Sequence, residues 1–272
     1  MTTAGALVRA CHPEPALAVT AIAAALAARV GAPVLPVAAA FASGQLATGW
    51  SNDWLDRHRD ARTGRADKPL VQGRLSARAL RRAAVTAAAA CVPLSLALGR
   101  RAGAAHLVAV GSALSYNAWL KSGPLSPLPY ALSFGLVPHV VALAGPAGTP
   151  APVWATAAGA LLGTGAHLAN ALPDLEDDLA TGVRGLPHRL GRPLSTALMA
   201  ALLLLATGVL THGPGDPGTA GLLALAVAAA LTAAAVVLAG RTASRAPFLA
   251  AVAVAVVDVA LLVARGADLT PG

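Results

Sequence analysis

Nine long apolar runs, separated by short segments rich in Gly, Pro or charge, constrain this chain more than any other feature. They fall at about 16–30, 33–50, 83–99, 103–120, 128–145, 152–172, 193–211, 219–239 and 246–264. A helix needs about 20 apolar residues to cross a bilayer. Nine such helices use most of the 272 residues and leave room for little but loops. Charged residues make up 12% of the chain, against about 25% in a soluble domain. Disorder and an ordinary water-soluble enzyme are excluded. The expectation is an all-α polytopic membrane protein, one domain over 1–272, with nine transmembrane helices. The runs are built from Ala, Leu and Val with many small residues, as close helix packing in lipid favours. The first run, preceded by Arg9, also fits the apolar stretch of a signal peptide. Eight further runs make an uncleaved first helix the simpler reading.

The net charge is +8. In a soluble protein that excess suggests nucleic acid; in this chain it reads as loop bias, and no nucleic-acid partner is expected. With nine spans and the N-terminus inside, four of the 20 Lys and Arg fall outside: Arg29, Arg100, Arg101 and Arg265. The other sixteen, Arg241 and Arg245 among them, fall inside, as the positive-inside rule requires. That places the chain in a bacterial cytoplasmic membrane with its acidic loops on the cytoplasmic side. Cys11 and Cys91 have no paired spacing, so neither a disulfide framework nor a zinc site is expected.

The acidic residues are one-sided too. Asp53, Asp56, Asp60 and Asp67 follow the second run; Asp174, Glu176, Asp177 and Asp178 follow the sixth. The two segments repeat each other: Asn52, Asp56, Asp60, Gly64, Pro69, Gly73 and Arg74 recur 118 residues on as Asn170, Asp174, Asp178, Gly182, Pro187, Gly191 and Arg192. Duplicated halves are a common way to build a membrane site at a pseudo-symmetric interface. Asn, Asp and Asp at i, i+4 and i+8 lie on one helical face, drifting about 40° per step. Each copy therefore offers an amide oxygen and two carboxylates in a column. Like charges so spaced repel unless a cation compensates. Two oxygen-only columns suit Mg²⁺, which typically takes one or two carboxylates plus phosphate oxygens and water. Asp53 points off the column and is expected to matter less.

Arg59, Arg62, Arg65, Lys68 and Arg74 are interleaved with or follow the first column, and Lys121 ends the segment Tyr116-Asn117-Ala118-Trp119-Leu120-Lys121. Arg and Lys beside metal ions form the usual clamp on a diphosphate. Lys68 and Lys121 are the favoured ligands; each Arg taken singly also fits positive-inside anchoring. Of the few aromatics, Trp50, Trp54, Tyr116 and Trp119 cluster by the motifs, fitting either a cation-stabilising wall or an interfacial belt. His139, His167 and Asp258 are polar residues within spans, hence candidates for substrate contact, packing or proton transfer.

Asn52-Asp53-Trp54-Leu55-Asp56 with Asp60, Gly64, Arg65 and Asp67-Lys68-Pro69-Leu70, together with Asp174-Leu175-Glu176-Asp177-Asp178, Gly182 and Leu186-Pro187, resemble the UbiA superfamily of intramembrane prenyltransferases. The resemblance implies nine helices around a central cavity open to lipid. It implies Mg²⁺ as cofactor, held by Asn52, Asp56 and Asp60 and by Asp174 and Asp178. It implies a prenyl diphosphate as substrate, contacted by Asn52, Lys68, Arg74, Asn117, Lys121 and Asn170. Asp56, Asp60, Asp174 and Asp178 would be the catalytic carboxylates, and the prenyl group would pass to a lipophilic or aromatic acceptor. Arg9 would lie on the acceptor side. Asp177 departs from the pattern, standing where many members carry Gly. A terpene cyclase of the same family and a transporter or other non-catalytic membrane protein are the competing readings. Polar residues crowding one face argue against the transporter.

Overall fold

The computed structural model describes residues 2–239 and 246–270. All regular elements among them are helical: α1 (Thr3–Ala10), α2 (Pro13–Val30), α3 (Val34–Arg62), α4 (Ala77–Leu96), α5 (Arg100–Ala118), α6 (Leu128–Ala144), α7 (Val153–Ala171), α8 (Leu175–Ala180), α9 (Leu186–His212), α10 (Gly218–Ala239) and α11 (Ala246–Ala264), with 3-10 turns at Leu120–Ser122 and Arg265–Leu269. Each of the nine apolar runs thus lies in a long helix. The two short helices, α1 and α8, were not anticipated. Local chemistry sets the boundaries. The side chains of Thr2 and Ser76 accept from the Gly5 and Ala79 N–H groups at 3.2 and 3.1 Å and cap α1 and α4. Pro13 opens α2, where its missing N–H has no cost, and Gly31 closes it at φ +71°.

Four helical segments are long and apolar enough to cross a membrane: Pro13–Val30, Ala77–Leu96, Leu186–His212 and Leu249–Leu269. Two shorter apolar segments are Leu128–Ala144 and Gly218–Ala234. The protein is an integral membrane protein.

The internal repeat is a repeat of architecture. The 118-residue offset carries α2 onto α6, α3 onto α7 plus α8, α4 onto α9, α5 onto α10 and α6 onto α11. It also reproduces a helix stop. Gly64 and Gly182 have φ of +66° and +87°, and Gly73 and Gly191 have +69° and +74°. The N–H of Arg65 reaches the Asp60 carbonyl at 3.1 Å, and that of Val183 reaches Asp178 at 2.9 Å. This is the bond that satisfies an orphan carbonyl when glycine ends a helix left-handed. Thr63 and Thr181, one residue before each glycine, turn back onto carbonyls of the preceding turn in both copies.

One of the differences between the copies changes the helix itself. Leu55 lets α3 run on to Arg62, whereas its counterpart Pro173 interrupts the helix. Without an N–H, Pro173 cannot continue the ladder. The chain ends α7 at Ala171 and restarts at Leu175 with Asp174 as the capping position. The expected second column on one continuous face is therefore corrected: Asn170 belongs to α7, and Asp178 to the separate helix α8.

Alternate connections gather at two ends. At one end Arg29 donates to the Ala264 carbonyl, Arg101 to that of Gly148 and Arg265 to that of Asp216. The other end holds both acidic segments and the turn carrying Lys121. Arg241 and Arg245 lie outside the described residues. Between the ends, Leu26, Val37, Val140, Val141 and Leu210 are fully buried in the main apolar cluster. A second cluster joins α7, α9 and α11 through Leu168, Met199 and Val254. Helices α6 and α7 approach closely because Gly159 and Gly163 meet the carbonyls of Phe134 and Tyr130, where any Cβ would collide.

Candidate active site

At the acidic end the two repeats meet. Arg59 of α3 donates to Asp56 at 2.7 Å and lies 3.7 Å from Asp178 of α8, so one guanidinium spans both copies. Arg65, just past the glycine stop, reaches Asp174 at 3.1 Å and Asp67 at 3.1 Å. Lys121 binds the other oxygen of Asp56. His188 lies 3.2 Å from Asp178. Asp56 and Asp60 are buried, at 7% and 5% exposure, and Asp60 makes no ion pair among the described residues. Burial lowers the pKa of the Lys121 ammonium, an effect that neighbouring Asp56 only partly offsets. On the open rim, the hydrogen bond from Arg65 holds Asp67 below the usual carboxylate range, and Arg192 does the same for Glu176.

Lys68 does not face the column. It binds Asp53 at 2.6 Å and lies 3.1 Å from Nε2 of His12, which is itself 2.8 Å from the same Asp53 oxygen. Asp53 is only 2% exposed. Spacing put Asp53 on a different face from Asp56 and Asp60, but it gave no sign that Asp53 is the buried anchor of Lys68. His12 has φ +55°, the only positive φ of a non-glycine residue among those described. The signal available in sequence was the polar trio Cys11-His12-Pro13 ahead of an apolar run.

Below this tier lies a cavity of about 320 Å³. Asn52 and Asn170, the first residues of the two repeats, both line it, with Asn117 and Tyr116 between. Asn117 is held by donating to the Thr48 carbonyl at 2.9 Å and to Ser51 at 3.0 Å, and its oxygen accepts from Asn52 at 3.2 Å. The rest of the wall is mostly apolar, including Val19, Ala113, Pro129, Tyr130, Phe134 and Ala166. Tyr116 and Tyr130 meet edge to face with centroids 5.0 Å apart, and His167 packs on both.

Several sequence expectations shift here. Of the four aromatics expected by the motifs, only Tyr116 lines the cavity. Trp50 donates to the Leu7 carbonyl and packs with Trp54 against α1, and Trp119 is 67% exposed. The aromatic wall is instead Tyr116, Tyr130 and Phe134; the latter two lie on α6, far in sequence from either motif. Arg9 is exposed and absent from the cavity wall. Arg74 is exposed and pairs with no carboxylate among the described residues. Asp177 is exposed. Asp258 accepts from Thr207 at 2.6 Å, so it joins α11 to α9 rather than pairing with Arg265; Arg245, the other partner considered, is outside the described residues. His167 bonds Ser126 at 3.0 Å, and Nδ1 of His139 is buried without a partner.

No three His, Cys, Asp or Glu side chains among the described residues stand close enough to enclose one ion. Side-chain cations occupy the space between the carboxylates instead. The donor chemistry still suits Mg²⁺: the facing groups are oxygens, and Asp56 and Asp178 are only a guanidinium apart. An apolar cavity whose amide-lined floor adjoins interleaved carboxylates and cations suits a ligand with an apolar tail and a polyanionic head.

A helical membrane protein with such a cavity beneath two opposed acidic repeats defines a class that works on amphiphiles at a membrane face. The chain belongs to the UbiA prenyltransferase family, whose sequence pattern matches residues 16–263. A UbiA homologue from Archaeoglobus fulgidus, bound to GPP and Mg²⁺, superposes with a TM-score of 0.72 at 19% identity, over 96% of this chain and 98% of that one. The apo structure of a UbiA homologue from Aeropyrum pernix also gives a TM-score of 0.72, at 21% identity over 92% and 98%. A lycopene elongase/hydratase of Halobacterium salinarum is 37% identical over 86 residues, a stretch covering 31% of each chain.

Proposed function

We propose that this protein transfers the prenyl group of an allylic prenyl diphosphate to a lipophilic acceptor inside the membrane. The observation that carries this reading is the Arg59 bridge between Asp56 and Asp178, which joins the duplicated carboxylates next to Asn52 and Asn170 of the cavity wall. Family membership and the ligands of the A. fulgidus homologue support it. The halobacterial relative, by its name an enzyme acting on lycopene, supports a lipophilic acceptor.

In this reading Asn52, Asp56, Asp60, Asp174 and Asp178 hold Mg²⁺. Bound there, the metal neutralises the diphosphate and makes it a better leaving group. Arg59 and Arg65 turn outward from the carboxylates they now neutralise. Lys121 lies beside the first column and takes diphosphate oxygens, and Lys68 would join it only by leaving Asp53. Asn52, Asn117 and Asn170 fix the head of the substrate at the cavity floor. Tyr116, Tyr130 and Phe134 present ring faces to the allylic cation. The helices around them exclude water, which would otherwise capture it. We further propose nine membrane crossings with the acidic end cytoplasmic, supported by the collection of the four outside arginines at the opposite end.

Incubation of purified protein with geranyl, farnesyl and geranylgeranyl diphosphates, Mg²⁺ and candidate acceptors tests the reaction. Acceptor-dependent diphosphate release, abolished by EDTA and lowered by orders of magnitude in Asp56→Asn or Asp178→Asn, is the expected result. A cyclic hydrocarbon formed without acceptor would identify a cyclase. Full activity in EDTA would remove the metal mechanism.

A further inference from the structure

Among the described residues, no Lys or Arg lines the cavity. The cations beside its floor are already engaged, Lys68 by Asp53 and Lys121 by Asp56. Most hydroxyl and thiol donors in the wall are turned onto backbone: Thr48 donates to the Gly44 carbonyl at 2.9 Å, Ser133 to Ala109 at 2.8 Å and Cys11 to Val8 at 3.0 Å. What they present to the cavity is lone pairs and apolar surface. A carboxylate in this space would lose its hydration and gain no counter-charge, with only the neutral amides of Gln45, Asn52, Asn117 and Asn170 and the phenols of Tyr116 and Tyr130 to donate to it. An uncharged lipid meets no such penalty.

Resting on the prenyl-transfer reading, we infer that the acceptor is an uncharged lipid offering a carbon–carbon double bond or an electron-rich ring, and that His12 takes up the proton it sheds. The π pair of the acceptor forms the new C–C bond to the allylic carbon. Diphosphate leaves with the electron pair of the broken C–O bond. A proton on the carbon next to the new cationic centre passes to the imidazole, and its C–H pair restores the double bond. No oxidant or reductant is required.

His12 lines the cavity and is built for this task. Its left-handed backbone is uncommon for a residue with a Cβ and persists only where the surroundings hold it. Asp53 of α3 lies 2.8 Å from Nε2; in the tautomer whose Nε2–H donates to it, Nδ1 keeps its lone pair, the arrangement of a general-base histidine. The other charged or titratable groups about it are Lys68, 3.1 Å from Nε2, and Cys11 and Glu14 on its own segment. Cys11 is tied to Val8. The phenols of Tyr116 and Tyr130, across the cavity, are much weaker bases than imidazole at neutral pH.

Paired probes that differ in charge alone test the acceptor class. Thermal-shift and competition binding would be measured in nanodiscs with methyl 4-hydroxybenzoate, 4-hydroxybenzoate and the hydrocarbon squalene. Both uncharged probes are expected to bind, with the acid at least about tenfold weaker than its ester. Val19→Arg, which sets a cation in the wall, is expected to erase that preference. Equal binding of acid and ester by the unaltered protein, or no binding of either uncharged probe, overturns the inference. Stabilisation by Mg²⁺ with farnesyl diphosphate is measured in the same preparation; its absence fails the prenyl-transfer reading while the charge preference stays readable. For His12, slow turnover of farnesyl diphosphate without acceptor should yield an alkene by proton loss alongside the alcohol from water. His12→Asn, a residue that tolerates the left-handed backbone, is expected to lower the alkene-to-alcohol ratio about tenfold. An unchanged ratio, or no alkene from the unaltered protein, overturns the role of His12.

Discussion

Asp53 and Asp56 stand three residues apart on α3 and do different work. Asp56 faces Arg59 and Lys121, within the tier that the repeat made legible. Asp53 turns to Lys68 and His12, one from the loop beyond α3 and one from the segment before α2. Periodicity could place Asp53 off the column, but nothing in the spacing ties residue 53 to residue 12; that pairing is made by tertiary packing. Its consequence is a stability effect that column logic does not foresee. Asp53→Asn leaves the buried Lys68 ammonium without its anion, expected to cost about 3 kcal/mol. Lys68→Met in the same background should restore much of that loss, because it removes the stranded charge. Thermal unfolding in detergent of the single and double variants checks both; an unperturbed midpoint for Asp53→Asn would show that the ion pair contributes nothing.

At the scale of elements, the 118-residue offset made the duplicated helix ends legible, down to the left-handed glycines at 64 and 182. The exchange of Leu55 for Pro173 is equally visible in the sequence, yet its effect depends on how the chain resumes after the break. In α3 the carboxylates ride a continuous helix, whereas α8 is a separate six-residue piece that can tilt toward α3 and set Asp178 near Arg59. Pro173→Leu is expected to fuse α7 and α8. Helical stability should rise, because residue 173 then supplies the N–H that a continuous helix requires. The fused helix carries Asp174 and Asp178 away from α3, so stabilisation by Mg²⁺ with prenyl diphosphate should fall about tenfold or more. Undiminished stabilisation would mean that the break at Pro173 has no part in setting the second carboxylate pair.

For the whole molecule, the order of the long helices was readable, though not the short α1 and α8, because a bilayer demands long apolar runs and tolerates few charges between them. The cavity wall was not, since Tyr130 and Phe134 come from α6, whose sequence carries no motif, and they reach the site only through the close α6–α7 packing at Gly159 and Gly163. Sidedness follows from charge. The end holding Arg29, Arg101 and Arg265 carries few cations, whereas the end holding the acidic repeats also carries Arg57 through Arg82 in sequence order. The positive-inside rule therefore orients the acidic end to the cytoplasm. Ala66→Cys places a thiol at an exposed position of the acidic end, and Ala147→Cys one at an exposed position of the opposite end. Cys11 and Cys91 are both buried, so background labelling should be low. In intact cells a membrane-impermeant maleimide is expected to label the Ala147→Cys protein and to reach the Ala66→Cys protein only after lysis. The reverse pattern would invert the molecule. Labelling of both in intact cells would mean an odd number of crossings has been lost between them, breaking the nine-span arrangement on which a cytoplasmic supply of prenyl diphosphate depends.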